Sequence, residues 1–109
     1  MIKIANKLVR DKIPEIIKGK GGSVSCRILS QEEFRSELIK KMSEETAEFD
    51  KDNTIEELGD MYAVLSALAQ NAGYSMEDVM HASEQKQAKN GGFSKRIFME
   101  CYNEHGVLR

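Results

Sequence analysis

Residues 30–72 read SQEEFRSELIKKMSEETAEFDKDNTIEELGDMYAVLSALAQNA, and their apolar spacing decides the fold. Ser30 with Glu33 three residues on has the form of a capping box, so a helix is expected to begin there and run to about Asp50. Phe34, Leu38, Met42 and Phe49 make its apolar stripe. The polar run Lys51-Asp52-Asn53-Thr54 reads as a hinge, short enough to make the next helix an antiparallel neighbour. That helix spans Ile55 to about Ala72, with Leu58, Met61, Tyr62, Leu65, Leu68 and Ala69 facing inward, and it stops at Gly73.

Working outward, Asp11 to Lys18 is expected to form a first short helix with Pro14 in its opening turn, where a missing N–H does little harm. Ser23 to Leu29 partly alternates and carries β-branched residues, which predicts a short strand. Ser94 to Tyr102 is its possible partner, a helical turn being the alternative there. Ser75 is placed to cap a fourth helix, Met76 to about Asn90, ended by Gly91-Gly92. The expectation is a mostly all-α fold, a helical-hairpin bundle of four main helices with one or two short strands. At 109 residues it fits one domain, 1–109.

Composition narrows the function. A net charge of −2 lacks the basic footprint of a duplex-binding protein, so no duplex nucleic acid is expected as partner. The most apolar stretch, Met61 to Ala72, is too short and too interrupted to span a membrane, so no membrane partner is expected either. The first ten residues spread their charges and have no signal-type apolar core, which predicts a cytoplasmic protein. Cys26 and Cys101 then read as free thiols.

Several acids lie where apolar residues are expected. At about 100° per residue, Glu45 falls inside the stripe set by Phe34, Leu38, Met42 and Phe49, and Glu48 borders it, whereas Glu44 begins the solvent face. On the third helix Glu57 falls inside the apolar arc and Asp60 at its edge. Two antiparallel helices therefore each aim an acid pair, spaced i and i+3, at a shared interior. Burying ionised carboxylates without partners is costly, so either their pKa values rise or a cation neutralises them. Hard oxygen ligands select Mg²⁺, Mn²⁺ or Ca²⁺ over Zn²⁺, and Mg²⁺, the physiological choice with Mn²⁺ as a substitute, binds well where substrate phosphates complete its shell. The competing reading is a solvated acid face, with Glu57 merely closing a capping box on Thr54.

The run Glu44-Glu45-Thr46-Ala47-Glu48 followed by Glu57-Leu58-Gly59-Asp60 resembles the E-E-x-x-E and E-x-x-D signature of the all-α nucleotide pyrophosphohydrolases, the MazG-like and phosphoribosyl-ATP pyrophosphohydrolase-like group. The opening Asn6-Lys7-Leu8-Val9-Arg10-Asp11-Lys12-Ile13-Pro14-Glu15-Ile16-Ile17 is similar to the start of one branch of that group. The closing Lys86-Gln87-Ala88-Lys89-Asn90-Gly91-Gly92-Phe93 with Arg96 looks like that branch's end. The resemblance implies a Mg²⁺-dependent hydrolase of nucleoside triphosphates, giving monophosphate and pyrophosphate, that works as a homodimer or homotetramer. Carried over by motif, Glu45, Glu48, Glu57 and Asp60 would bind metal, and Glu44, Glu45 and Glu48 would be the catalytic acids, Glu44 as outer ligand or water-orienting base. The two acid motifs stand closer together than is usual in MazG itself.

The cations available for a phosphate tail are Lys7, Arg10, Lys12, Lys86, Lys89 and Arg96, with Arg suited to a bidentate clamp. Cys101 with His105 is a weaker candidate for a soft metal, and His81 for a general base. The alternatives to a triphosphate pyrophosphohydrolase are a phosphoribosyl-ATP pyrophosphohydrolase, a silent helical interaction module whose acids are salt-bridge partners, and a regulator that binds nucleotide without hydrolysing it.

Overall fold

The computed structural model describes residues 1–105. Four helices form in the order α1 (Ile13–Gly19), α2 (Gln31–Asp52), α3 (Ile55–Asn71) and α4 (Met76–Asn90). Two compact units divide the chain, Met1–Met76 and Glu77–Arg109. No helix among the described residues is long and apolar enough to cross a membrane.

In the first unit the α2–α3 hairpin is the organising element. The capping box at its start is complete: the Ser30 hydroxyl accepts from the Glu33 N–H, and the Glu33 carboxylate accepts from the Ser30 N–H. Arg27 adds a fork onto the same carboxylate, at 2.9 and 3.4 Å. At its far end α2 runs on to Asp52, further than the polar composition of 51–52 suggests, because Asn53 supplies the stop. Its φ of 54° puts it in the left-handed region, which Asn tolerates, while its N–H still bonds the Phe49 carbonyl at 2.8 Å. The hinge is thus only Asn53-Thr54. The Asn71 side-chain amide donates to the Gln31 carbonyl at 3.2 Å, so the last turn of α3 lies beside the first turn of α2 and the pair is antiparallel.

Leu38 on α2 with Val64 and Ala69 on α3 form the buried seam, flanked by half-buried Phe34, Met42, Phe49, Met61 and Leu68. A Schellman pair ends α3: the Tyr74 N–H bonds the Ala69 carbonyl and the Gly73 N–H that of Gln70. Gly73 sits at φ 91°, where any side chain would be strained. Pro14 opens α1 as expected.

The second unit carries α4 beyond its first residue. Gly91, at φ 87°, ends the helix by bonding the Gln87 carbonyl at 2.8 Å.

The short strands are not formed: among the described residues there is no strand. In 23–29 the alternation is real but the segment has no ladder, and Ile28 is left in solvent while Arg27 ties the chain to the first turn of α2. In 94–102 the pattern is broken at Arg96, whose φ of 55° and bond from its N–H to the Phe93 carbonyl make a turn.

Candidate functional site

The two-residue hinge brings the end of α2 against the start of α3, and with them three carboxylates. Glu48 and Asp52 are four residues apart on α2 and so share a face, and Glu57 lies in the first turn of α3. One oxygen from each of the three lies within 4.8 Å of the others. Local electrostatics does not favour this arrangement. Asp52 sits in the last turn of α2, where the unpaired carbonyls already carry partial negative charge, and only Lys51 offsets it there. Glu57 is better placed, at a helix start where N–H groups point outward, and its N–H is capped by the Thr54 hydroxyl.

Glu57 bears the cost of the crowding. Burial pushes its carboxyl above the ordinary 4.5, the hydrogen bond it shares with Asp52 pushes the same way, and the charges of Asp52 and Asp60 add to this against a lowering bond from Thr54. A carboxyl whose pKa is raised on folding contributes stability that is complete below its unfolded pKa and is lost as pH rises through the folded one. Glu33 behaves oppositely: its bond to Arg27 lowers its pKa, so its contribution is present above the unfolded value and lost as pH falls through the folded one. Glu57→Gln is therefore expected to flatten the loss of stability on the alkaline side of the carboxyl range and leave the acid-side loss in place. Thermal melts of both proteins across that range, in metal-free buffer, check this; parallel curves would refute it.

The other acids singled out from the sequence have basic partners. Glu45 is half-buried, its side chain 13% exposed, as its place in the apolar stripe requires, but Lys41 Nζ stands 3.7 Å from it and 3.5 Å from Glu44. Asp60 follows Glu57 by one turn and is paired with Arg10 at 2.7 Å. Of the four expected ligands, then, Glu48 and Glu57 come together and Glu45 and Asp60 are each held by a cation. Asp52 completes the group in their stead. Its polar neighbours have the composition of a hinge; the signal that finds it is the i, i+4 spacing from Glu48, with α2 running to Asp52 and capped by Asn53.

Lys7 and Lys12 are exposed in the first unit. Lys86, Lys89 and Arg96 belong to the second, where Lys86 and Lys89 line one shallow hollow of α4 with Ala82, Gln85 and Asn90. Cys26 and Cys101 are both free and exposed, and His81 and His105 are exposed as well.

Chemically, three hard oxygen donors within 4.8 Å and a carboxyl reluctant to ionise suit a small divalent cation, whose charge would favour the ionised forms of all three. No protein-family model matches the chain, no curated protein matches its sequence, and no solved structure matches it.

Proposed function

We propose that this chain is a Mg²⁺-dependent nucleotide pyrophosphohydrolase that converts nucleoside triphosphates to monophosphate and pyrophosphate. The observation that carries the reading is the meeting of Glu48, Asp52 and Glu57 at the α2–α3 hinge, two of them from the acid motifs that resemble that group. These three carboxylates would hold Mg²⁺, or Mn²⁺ in its place. A divalent ion so held supplies an acidified water and neutralises phosphate charge.

The chain's own residues do the rest. In the reaction a water oxygen bonds to the α-phosphorus, the bond from that phosphorus to the bridging oxygen breaks, and pyrophosphate leaves with the electron pair. Glu44, exposed on α2, is the group assigned to orient the water and take its proton, with Lys41 fixing its position. Lys7, Arg10 and Lys12 offer positive charge to the phosphate tail from the segment before α1. Pyrophosphate release from ribo- and deoxyribonucleoside triphosphates, modified nucleotides and phosphoribosyl-ATP, with Mg²⁺ and with Mn²⁺, tests the reading. Metal-dependent release from any of them supports it and ranks the substrates; no turnover of any withdraws it.

A silent helical module is the second reading, favoured by the pairing of Glu44 and Glu45 with Lys41 and of Asp60 with Arg10. It gives the Glu48, Asp52 and Glu57 cluster no basic partner among the described residues.

The working form is proposed to be a homodimer or homotetramer. Leu58, Tyr62 and Leu65 form an apolar stripe along α3 and remain 42%, 57% and 38% exposed, too much apolar surface for one helix face to leave in water. Light scattering is expected to give two or four times the chain mass, and Tyr62→Asp to lower it to one. A single-chain mass for the unaltered protein removes the oligomer.

A further inference from the structure

Arg10 stands in a position that general phosphate binding does not explain. Its backbone lies just before α1, where its carbonyl accepts from the Ile13 N–H at 3.1 Å. Its guanidinium reaches fifty residues along the chain to Asp60 Oδ1 on α3, at 2.7 Å. No helix-on-helix packing joins α1 to α2 or α3 among the described residues, and none of the residues of α1 is buried. This ion pair is thus a specific tie between the N-terminal segment and the acid face, and it ends on a carboxylate one turn from Glu57.

We propose that the Arg10–Asp60 pair is a cation-responsive tether: Arg10 serves as counter-ion to Asp60 until a divalent cation enters the neighbouring carboxylates, and then gives the carboxylate up, freeing the segment before α1. The proposal rests on the divalent-cation reading of the Glu48, Asp52 and Glu57 cluster. Two physical points support it. The pair is accessible, with side chains 64% and 39% exposed, so it is weak enough to exchange. A cation entering beside Glu57 also lowers the advantage of Arg10, because two positive charges then compete for one carboxylate. The released guanidinium, with Lys7 and Lys12 nearby in sequence, becomes available to an incoming polyphosphate. Arg10 is on this account a positioning residue, coupling cation entry to exposure of the phosphate-binding charges.

The test needs no substrate. Mn²⁺ binding is followed by the electron paramagnetic resonance of the free ion, and the state of the segment by the rate at which a lysine-specific protease cuts after Lys7. The unaltered protein, Arg10→Met and the charge-matched Lys12→Met are compared, with circular dichroism to verify that all three are equally helical. In the unaltered protein Mn²⁺ is expected to speed the cut severalfold. In Arg10→Met the cut is fast with or without Mn²⁺, and Mn²⁺ binds about two- to fivefold more tightly, the range that loss of an exposed competing pair allows. Lys12→Met should retain the Mn²⁺-dependent cut and gain less affinity. Binding of Mn²⁺ with no change in the cut, or equal gains in the two variants, overturns the tether and leaves the cation site standing. No binding of Mn²⁺ to the unaltered protein overturns both.

Discussion

Glu57→Gln is expected to lower pyrophosphate release by at least about 100-fold while leaving the protein as stable as before, or more so. The two halves of that result come from one cause. Glu57 is the carboxylate on which burial, a shared hydrogen bond with Asp52 and the charges of Asp52 and Asp60 converge, and its anion is disfavoured for that reason. A neutral amide of the same shape removes the repulsion and keeps a polar group at the start of α3, so folding loses nothing. The same change takes away a charged oxygen from the group that would hold the cation. Loss even of an outer partner of a metal ligand typically costs 10–100-fold, so loss of a ligand sets the lower bound at about 100-fold. Activity lost with stability kept is the signature of a residue retained for chemistry. Asp52→Asn should behave alike, since Asp52 is badly placed at the end of α2 for any structural purpose. Release assays beside thermal melts decide it. If Glu57→Gln turns over normally, the cluster does not hold the metal; if it loses activity and stability together, Glu57 is a structural cap through Thr54.

Much of this arrangement was legible from residues 30–72. The Ser30–Glu33 capping box, the α2 stripe and the Gly73 stop are local signals, each written within a few residues, and each forms as the spacing predicts. On α3, by contrast, only Met61, Leu68 and Ala69 of the expected inward set are covered and Leu58, Tyr62 and Leu65 stay exposed, because α2 alone covers one narrow face of that helix. Half-burial of Glu45 followed from its angle on the wheel. The Lys41 pairs with Glu44 and Glu45 follow the i, i+3 and i, i+4 spacing that makes residues neighbours on a helix; what the wheel cannot supply is the long-range partner, since nothing in the spacing joins Arg10 to Asp60 across fifty residues. Asp52 was hidden by composition, because Lys51-Asp52-Asn53-Thr54 is polar throughout and no apolar residue follows Phe49 to carry the stripe to the end of α2. The strand over 23–29 failed for the opposite reason: alternation is local, whereas a ladder needs a second segment that the pattern does not specify.

The hairpin that positions the three carboxylates has a narrow seam, and that makes it sensitive at one residue. Leu38→Ala is expected to cost about 2–5 kcal/mol, the span for truncating a buried leucine. Leu38 is 3% exposed and meets α3 at the seam that Val64 and Ala69 complete. Phe34, Met42 and Phe49 beside it are only half-buried, so they can shift partly into the space left behind, which moves the expectation toward the lower end. Even that is a large share of a stability of about 0.05–0.15 kcal/mol per residue. Ile39, the next residue, is 46% exposed, and Ile39→Ala should cost under about 1 kcal/mol. Urea unfolding of the two variants at one protein concentration separates them, provided the dependence on urea is unchanged, because an oligomer's stability varies with concentration. Equal losses would mean that the α2–α3 seam is not what holds the hairpin. A large loss at Leu38 alone makes the geometry of the carboxylates depend on that contact: with the seam loosened, Glu48 and Asp52 on one helix and Glu57 on the other are no longer held together by more than the Asn53-Thr54 hinge, and cation affinity should fall with stability.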